Sequence, residues 1–379
     1  MNLLIRKNFN FVINVFKPTI SLTNIYFVLR ALLRNEISGS SKEVKKFENN
    51  LMLQFDRKYC VAVTNGSAAL DVALQLLKLK KGDEVIVPAF TIISCLSAIT
   101  RSGATPVFCD VNLDTWNMQL SDIKKVYSKN TKAVLMVHTY GLTAQALEIE
   151  QFCKKNNLYL VEDAAEAHGQ TVNGRKCGTF GDISTLSFYA NKHITSGEGG
   201  ALMFDDEALQ SKARKMINLD FDNTQRFVHK NLYWNHRLSD IQAALGNSQI
   251  RQIDNTIRLK KIQGKEYIKL FDKYNLNLQT PLISTDLSEN HFWVFGIVLG
   301  NDYDRDELLK KLYNLNIETR PFFWPLNEQP AISNLIDTPN TTPNSAKIGK
   351  QGFYIPMGRH INKKTQKRIV LAIKDCLEQ

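Results

Sequence analysis

Residues 60–79, "CVAVTNGSAALDVALQLLKL", decide how the chain is read. A short apolar run from Cys60 to Thr64 passes through a small polar turn. It then enters a segment in which Leu70, Ala73, Leu74 and Leu77 share one helical face. This pattern is a buried strand, a turn and a covering helix. It recurs outward to residue 204, with "EVIVP" (84–88), "PVFCDV" (106–111), "AVLMVH" (133–138), "LYLVED" (158–163), "STLSF" (184–188) and "ALMF" (201–204) as further strands. Strands alternating with helices over this length predict an α/β fold with a mostly parallel central sheet.

From about residue 250 the pattern changes. "IRQIDNTIRLKKIQGKEYIKLFDKY" (250–274) predicts a long amphipathic helix with a cationic face. A strand "HFWVFGIVL", a helix near 305–314, the proline-bearing "TRPFFWPLNEQP" and a terminal helix from about 363 follow. A chain of 379 residues has room for two such cores. The expected division is an extension over 1–14, a large domain over 15–250 and a smaller C-terminal α+β domain over 251–379.

Charge and cysteine usage narrow the function classes. Lys and Arg number 48 against 37 Asp and Glu, a net charge of +11 that is spread along the chain. Such spread charge reads first as solvated helix faces, and beside that as a field that draws small anions. No basic tract interleaved with aromatics points to nucleic acid. The six cysteines form no CxxC and no Cys/His ligand spacing, so no metal is expected. Most lie in apolar runs, as in a reduced, cytoplasmic protein. No run reaches the ~18 uninterrupted apolar residues of a membrane span. The opening "MNLLIRKNFNFVINVF" is broken by asparagines and lacks a small-residue cleavage site, so no signal peptide is expected.

In open α/β sheets ligands gather beyond the carboxyl ends of strands. The polar residues there are Asn65-Gly66-Ser67, His138 and Tyr140, Glu162-Asp163, and the stretch Ser187 to Lys192. The turn from Asn65 to Ala68 opens a helix. Its free amides make an anion site to which Ser67 adds a hydroxyl, although alone it equally describes a plain N-cap. Asp163 ends an apolar strand, where an ionised carboxylate needs a cation or donors; a helix cap is the other reading. Lys192 stands between two apolar runs. A lysine there either snorkels to solvent or, partly buried, becomes a nucleophile toward carbonyls. Together the three supply what pyridoxal phosphate needs: a phosphate cup, a carboxylate for the pyridinium nitrogen and a Schiff-base lysine.

"VEDAAEAHG" and "GTFGDISTLSFYANKHITSGEGGAL" resemble the DegT/DnrJ/EryC1/StrS sugar aminotransferases, with "NEISGSSKEVKKFE", "VTNGSAALDVAL", "VPAFTIIS" and "YWNHRLSDIQAALG" extending the likeness from about residue 15 to the C-terminus. The resemblance implies the type I, aspartate aminotransferase-like fold of PLP-dependent transferases. It implies Lys192 as the Schiff-base lysine, Asp163 on the pyridine nitrogen, and Ser187 with Gly66, Ser67 and Ala68 on the phosphate. Glu166 would stand near the phenolic oxygen, where relatives often carry Gln. Ile92 takes the place of the usual stacking aromatic. Asn235 would reach the phosphate in a neighbouring subunit, which implies a homodimer with composite sites.

The implied reaction moves an amino group from L-glutamate to a nucleotide-linked 4-keto-6-deoxy sugar. "NKHITSGEGG" and "RPFFWPLNEQP" look most like the perosamine-synthase branch, which aminates C4 of a GDP-sugar. His138, Tyr140 and Arg320 are candidate substrate contacts. Two other readings stand beside this one. A sugar 3-dehydratase carries histidine in place of the lysine, and His193 is adjacent. The five-residue step from Ser187 and the four residues before "GEGG" select Lys192 instead. A silent pyridoxal-binding regulator would need a DNA-reading module, and no helix-turn-helix stretch is visible.

Overall fold

The computed structural model describes residues 12–39, 41–221, 225–333 and 341–378. The apolar runs become strands β1 (Tyr59–Val63), β2 (Glu84–Pro88), β3 (Thr105–Cys109), β4 (Thr131–Val137) and β5 (Tyr159–Asp163). After a small hairpin of β6 (Thr171–Val172) and β7 (Arg175–Lys176) come β8 (Ile183–Ser187) and β9 (Gly200–Phe204). Seven of these form one sheet in the order β1-β9-β8-β5-β4-β2-β3. Neighbours are parallel except around β9, which runs antiparallel to both β1 and β8. The reversal has a local cause: the chain turns straight back after Ser187, with no crossover helix to return it in parallel. The other six strands therefore end at one rim.

Helices α1 (Leu22–Leu33), α2 (Lys42–Phe55), α3 (Gly66–Leu76) and α4 (Ile93–Arg101) accompany this sheet. Burial of α3 exceeds the single expected face, because Ala69, Val72 and Leu76 are buried as well as Leu70, Ala73 and Leu74. The reason is position: α3 lies on the sheet and is covered in turn by α4 and by the helix Glu207–Met216. Apolar residues are then useful all round it.

A second sheet holds β10 (Phe295–Val298), β11 (Arg320–Pro321) and β12 (Gly352–Ile355), antiparallel in the order β10-β12-β11. Tyr267 and Phe271 from the helix Ile253–Lys273, and Ile369 and Ile373 from Lys363–Leu377, share a core with Phe295 and Phe353. The boundary expected at 250 falls in the 3-10 turn Ile250–Gln252. Of the expected extension, residues 1–11 lie outside the described residues. Beyond them Ile13 bridges to Ile317, and Val15 N donates to Glu318 Oε2 at 3.0 Å, which ties this segment to the stretch just ahead of β11. No described helix is long and apolar enough to cross a membrane. All six cysteines are free and buried.

Candidate active site

Glu162 and Asp163 are consecutive residues at the end of β5, so their side chains leave opposite faces of the sheet. Glu162 is completely buried and accepts five hydrogen bonds. His138 Nε2 (3.0 Å) and Gly178 N (2.6 Å) donate to one oxygen; Phe180 N (2.8 Å), Gly181 N (3.1 Å) and Ser184 Oγ (2.8 Å) donate to the other. Burial alone would raise this carboxyl, but the donors outweigh it and hold it down at about 2. Glu162 is thus a structural anchor that pins the 178–184 segment under β5.

Asp163 has no comparable company. Among the described residues its Oδ1 accepts from Ala165 N at 3.0 Å and from Thr185 Oγ1 at 3.5 Å, and its Oδ2 meets only the Cys95 thiol, at 3.7 Å. Burial pushes the carboxyl upward, and these bonds and the Lys192 charge only partly offset the shift. A buried carboxylate short of donors is suited to a cationic N–H partner.

Asp163 opens on a cavity of about 340 Å³ that also takes in Gly66, Ser67, Ile92, Glu166, Ser187 and Lys192. They come from several separate strand ends and turns. At the start of α3, Asn65 caps the helix through its side chain, which accepts from Ala68 N at 2.8 Å. Ala68 is therefore spent on the cap, while the first amides of the helix, on Gly66 and Ser67, have no intrahelical acceptor. Ser67 Oγ lies 2.7 Å from Ser94 Oγ, and Ser187 Oγ closes the same corner. A Cβ on Gly66 would come within 2.8 Å of Ser187 Cβ, so the close approach requires glycine. Amides at a helix N-terminus flanked by three hydroxyls are a fitting cradle for a phosphate group.

Lys192 is held by a tight turn between β8 and β9. Its N–H donates to Tyr189 O at 2.9 Å, and Ser196 N donates to Phe188 O at 2.9 Å. Gly199 completes the turn with φ +155°, and a Cβ there would meet Ser196 Oγ at 2.4 Å, which accounts for the glycine-rich run. The Lys192 amine lies 3.4 Å from Glu166 Oε1 and 3.9 Å from the centroid of the Trp293 ring. Glu166 Oε2 accepts from Tyr140 N at 3.0 Å. Burial pushes the Glu166 carboxyl up to about 7, against the opposing pull of Lys192. Lys192, and not His193, faces this cavity; His193 is buried behind it.

The remaining expected contacts sit elsewhere. His138 is fully buried, with Nε2 on Glu162 and Nδ1 accepting from Ala144 N at 3.2 Å, so both ring nitrogens are used and neither meets the cavity. Tyr140 packs inside an aromatic cluster with Phe322 and Phe323, its hydroxyl accepting from Phe323 N at 3.3 Å. What it gives the site is its backbone N–H, turned toward Glu166 by a left-handed φ of 62°. Arg320 is exposed and paired with Glu318 at 2.6 Å, opposite the cavity-lining Tyr354 in the β11–β12 ladder. Asn235 is exposed and outside its own chain's cavity. Among the described residues one cluster, His138, Glu162 and Cys177, brings metal-ligating atoms together. The hydrogen bonds on Glu162 and His138 already use those atoms. Trp293, Tyr354 and Phe323 also line the cavity, and sequence reasoning did not single them out.

An anion cradle, an amine and an under-satisfied carboxylate around one cavity fit pyridoxal phosphate. Residues 23–374 match the sequence model of the DegT/DnrJ/EryC1/StrS aminotransferase family. The GDP-perosamine synthases of Escherichia coli O157:H7 and Vibrio cholerae are 35% and 32% identical to this chain over 346 residues, 91% of it and 93% of each relative. A solved aminotransferase from Psychrobacter cryohalolentis shares the architecture with a TM-score of 0.87 at 27% identity, over 95% of this chain and 98% of that one.

The Glu166 carboxyl predicts a pH effect in the cofactor-free protein. Its folded value of about 7 lies above the ordinary 4.5 of the unfolded chain. Its contribution to stability is therefore full below about pH 4.5 and is lost as pH rises through about 7. Glu166→Gln should melt higher than wild type at pH 8, by the equivalent of about 3 kcal/mol at most, with the gain fading by pH 5. Thermal midpoints at both pH values check this. An equal difference at the two would contradict it.

Proposed function

The chain belongs to the DegT/DnrJ/EryC1/StrS aminotransferase family, and on that premise we propose that it transfers an amino group from L-glutamate to the 4-keto carbon of a nucleotide-linked 4-keto-6-deoxy sugar, as in perosamine-type amino-sugar synthesis. Pyridoxal phosphate is its cofactor, and the type I aminotransferase fold carries it. When bound, that group supplies an aldehyde that exchanges amines and a ring that accepts electrons from a neighbouring C–H bond. The observation that carries the proposal is the shared cavity of Lys192, Asp163 and the α3 cradle.

The residues divide the work. The N–H groups of Gly66 and Ser67, with the Ser67 and Ser187 hydroxyls, hold the phosphate. Asp163 holds the protonated ring nitrogen, which meets its own shortage of donors. Lys192 would hold the cofactor through its Nζ, and, when free, that amine is the group that would take the proton from the donor's α-carbon. Glu166 Oε1, 3.4 Å from that amine, would receive the resulting ammonium. Ile92, partly exposed at the cavity mouth, covers one side with an aliphatic rather than an aromatic surface. Arg320 stands at the edge nearest Tyr354 as a contact for the diphosphate.

The reading includes a cytoplasmic homodimer with composite sites. Six buried free thiols support the reducing compartment. An exposed apolar stripe of Leu22, Ile25, Tyr26, Leu29, Leu32 and Leu33 runs along α1, and Phe227 and Leu232 are exposed in the stretch that precedes Asn235 in the chain. Such surface suits a second copy of the chain. The GDP-perosamine synthase relatives support the sugar and the nucleotide.

Protein loaded with pyridoxal phosphate should lose its visible absorption band on addition of L-glutamate, and Lys192→Ala should show neither the band nor its loss. A GDP-linked 4-keto-6-deoxy sugar should then restore the band, with UDP- and dTDP-linked sugars as comparisons. A band that survives glutamate contradicts the proposed donor. For the composite site, mixing Lys192→Ala with Asn235→Ala subunits builds one dimer site that is wild type at both positions. Activity in the refolded mixture should exceed the sum of the two variants alone, and simple additivity would count against a shared site.

A further inference from the structure

Trp293 is the best-anchored residue around Lys192, and the proposed chemistry gives it no bond to make. It lies just ahead of β10, 101 positions beyond Lys192 in the chain, and is 4% exposed. Its ring faces the Lys192 amine at 3.9 Å. Its indole Nε1 donates to the carbonyl of Asn191, the residue immediately before Lys192, at 3.0 Å. Its own carbonyl accepts from Lys260 Nζ at 3.0 Å. Phe16 and Tyr140 pack against the ring, with centroids 6.2 and 5.8 Å away. The indole is thus fixed at its edge, at its backbone and on its flanks, with one side facing the amine.

Lys260 is the unusual member of this group. It projects from the long helix Ile253–Lys273 into the interior and is 6% exposed. Among the described residues its amine donates to the Trp293 carbonyl. Burial pushes its amine down to about 7. A methionine would fill the same space without that cost, so a lysine here needs a reason beyond packing. The bond to Trp293 is the reason on view.

We propose that the Trp293 ring is the platform on which the Lys192 ammonium rests whenever it is not bonded to the cofactor, and that Lys260 is a positioning residue that holds this platform from behind. The proposal rests on the reading in which Lys192 alternates between bonded and free states. A cation on an indole face is stabilised most where water is excluded, and the Lys192 side chain is only 10% exposed. Glu166 bounds the amine on another side at 3.4 Å. Between ring and carboxyl, the freed amine stays within the cavity and does not swing to solvent. Because the indole also bonds to Asn191 O, a shift of the ring would move the turn that carries Lys192.

The test uses the full chain without cofactor, so its outcome is independent of turnover. Wild type, Trp293→Leu, Trp293→Phe and Lys260→Met are treated with formaldehyde and cyanoborohydride, and peptide mass spectrometry reads methylation of Lys192 against exposed Lys125. Loss of the ring removes the surface that holds the amine inside the cavity and should raise Lys192 labelling roughly three- to ten-fold in Trp293→Leu. Trp293→Phe keeps a ring face and should stay within about two-fold of wild type. Lys260→Met should raise labelling in the same direction as Trp293→Leu, with Lys125 unchanged. Equal Lys192 labelling in wild type and Trp293→Leu overturns the platform. Raised labelling in Trp293→Leu but not in a folded Lys260→Met overturns the positioning role. If Lys260→Met does not fold, the Trp293 pair still decides the platform, and Lys260→Leu, which likewise removes the donor, takes its place in the second comparison. Should the loaded wild type show no bond between Lys192 and cofactor, the functional reading fails on that result alone, while the labelling still reads the platform.

Discussion

Two adjacent carboxylates at the end of one strand carry opposite burdens, and the site is built on that difference. Glu162 is buried among five donors, two of them on other side chains and three on the backbone of the 178–181 turn. Losing that carboxylate would strand buried N–H groups on a segment leading directly into β8. Asp163, one residue on and facing the other way, is buried with one good donor and two long contacts. Strand alternation makes the contrast unavoidable: what anchors one face cannot satisfy the other. The fold secures β5 through Glu162 and leaves Asp163 available to a ligand.

The second dependence is between the two sheets. Lys192 sits on a turn of the large sheet, yet the surface against its amine comes from Trp293 at the entry to β10. The cavity is closed on the same side by Phe323 and Tyr354. A relative movement of the smaller sheet would therefore alter the surroundings of Lys192 at once. The long helix Ile253–Lys273 joins the two parts and carries Lys260, which bonds to Trp293.

Much of this was legible in the sequence because local pattern determines it. All seven strands of the large sheet lie where the apolar runs placed them, and the rim residues Gly66, Ser67, Asp163, Ser187 and Lys192 share one cavity with Ile92 and Glu166, which only the family resemblance pointed to. Direction was less legible. The antiparallel β9 follows from the geometry of a turn, which an apolar run does not encode. His138 and Tyr140 follow a rim strand as expected, but strand ends present side chains to both faces, and His138 points to the Glu162 side. The resemblance implies Ala68 on the phosphate, but the Asn65 cap takes its N–H. Trp293 and Lys260 left no local signal, since a tryptophan in "HFWVFGIVL" and a lysine on a cationic helix are each ordinary in their own segments. Only the packing of distant segments brings them behind Lys192.

The most direct measurement is to load the protein with pyridoxal phosphate, reduce it with borohydride and map the attached pyridoxyl group by peptide mass spectrometry. The account predicts a single modified peptide with the group on Lys192, and a marked loss of cofactor retention in Asp163→Asn. A pyridoxyl group on another lysine, or none on a protein that binds the cofactor tightly, would contradict it.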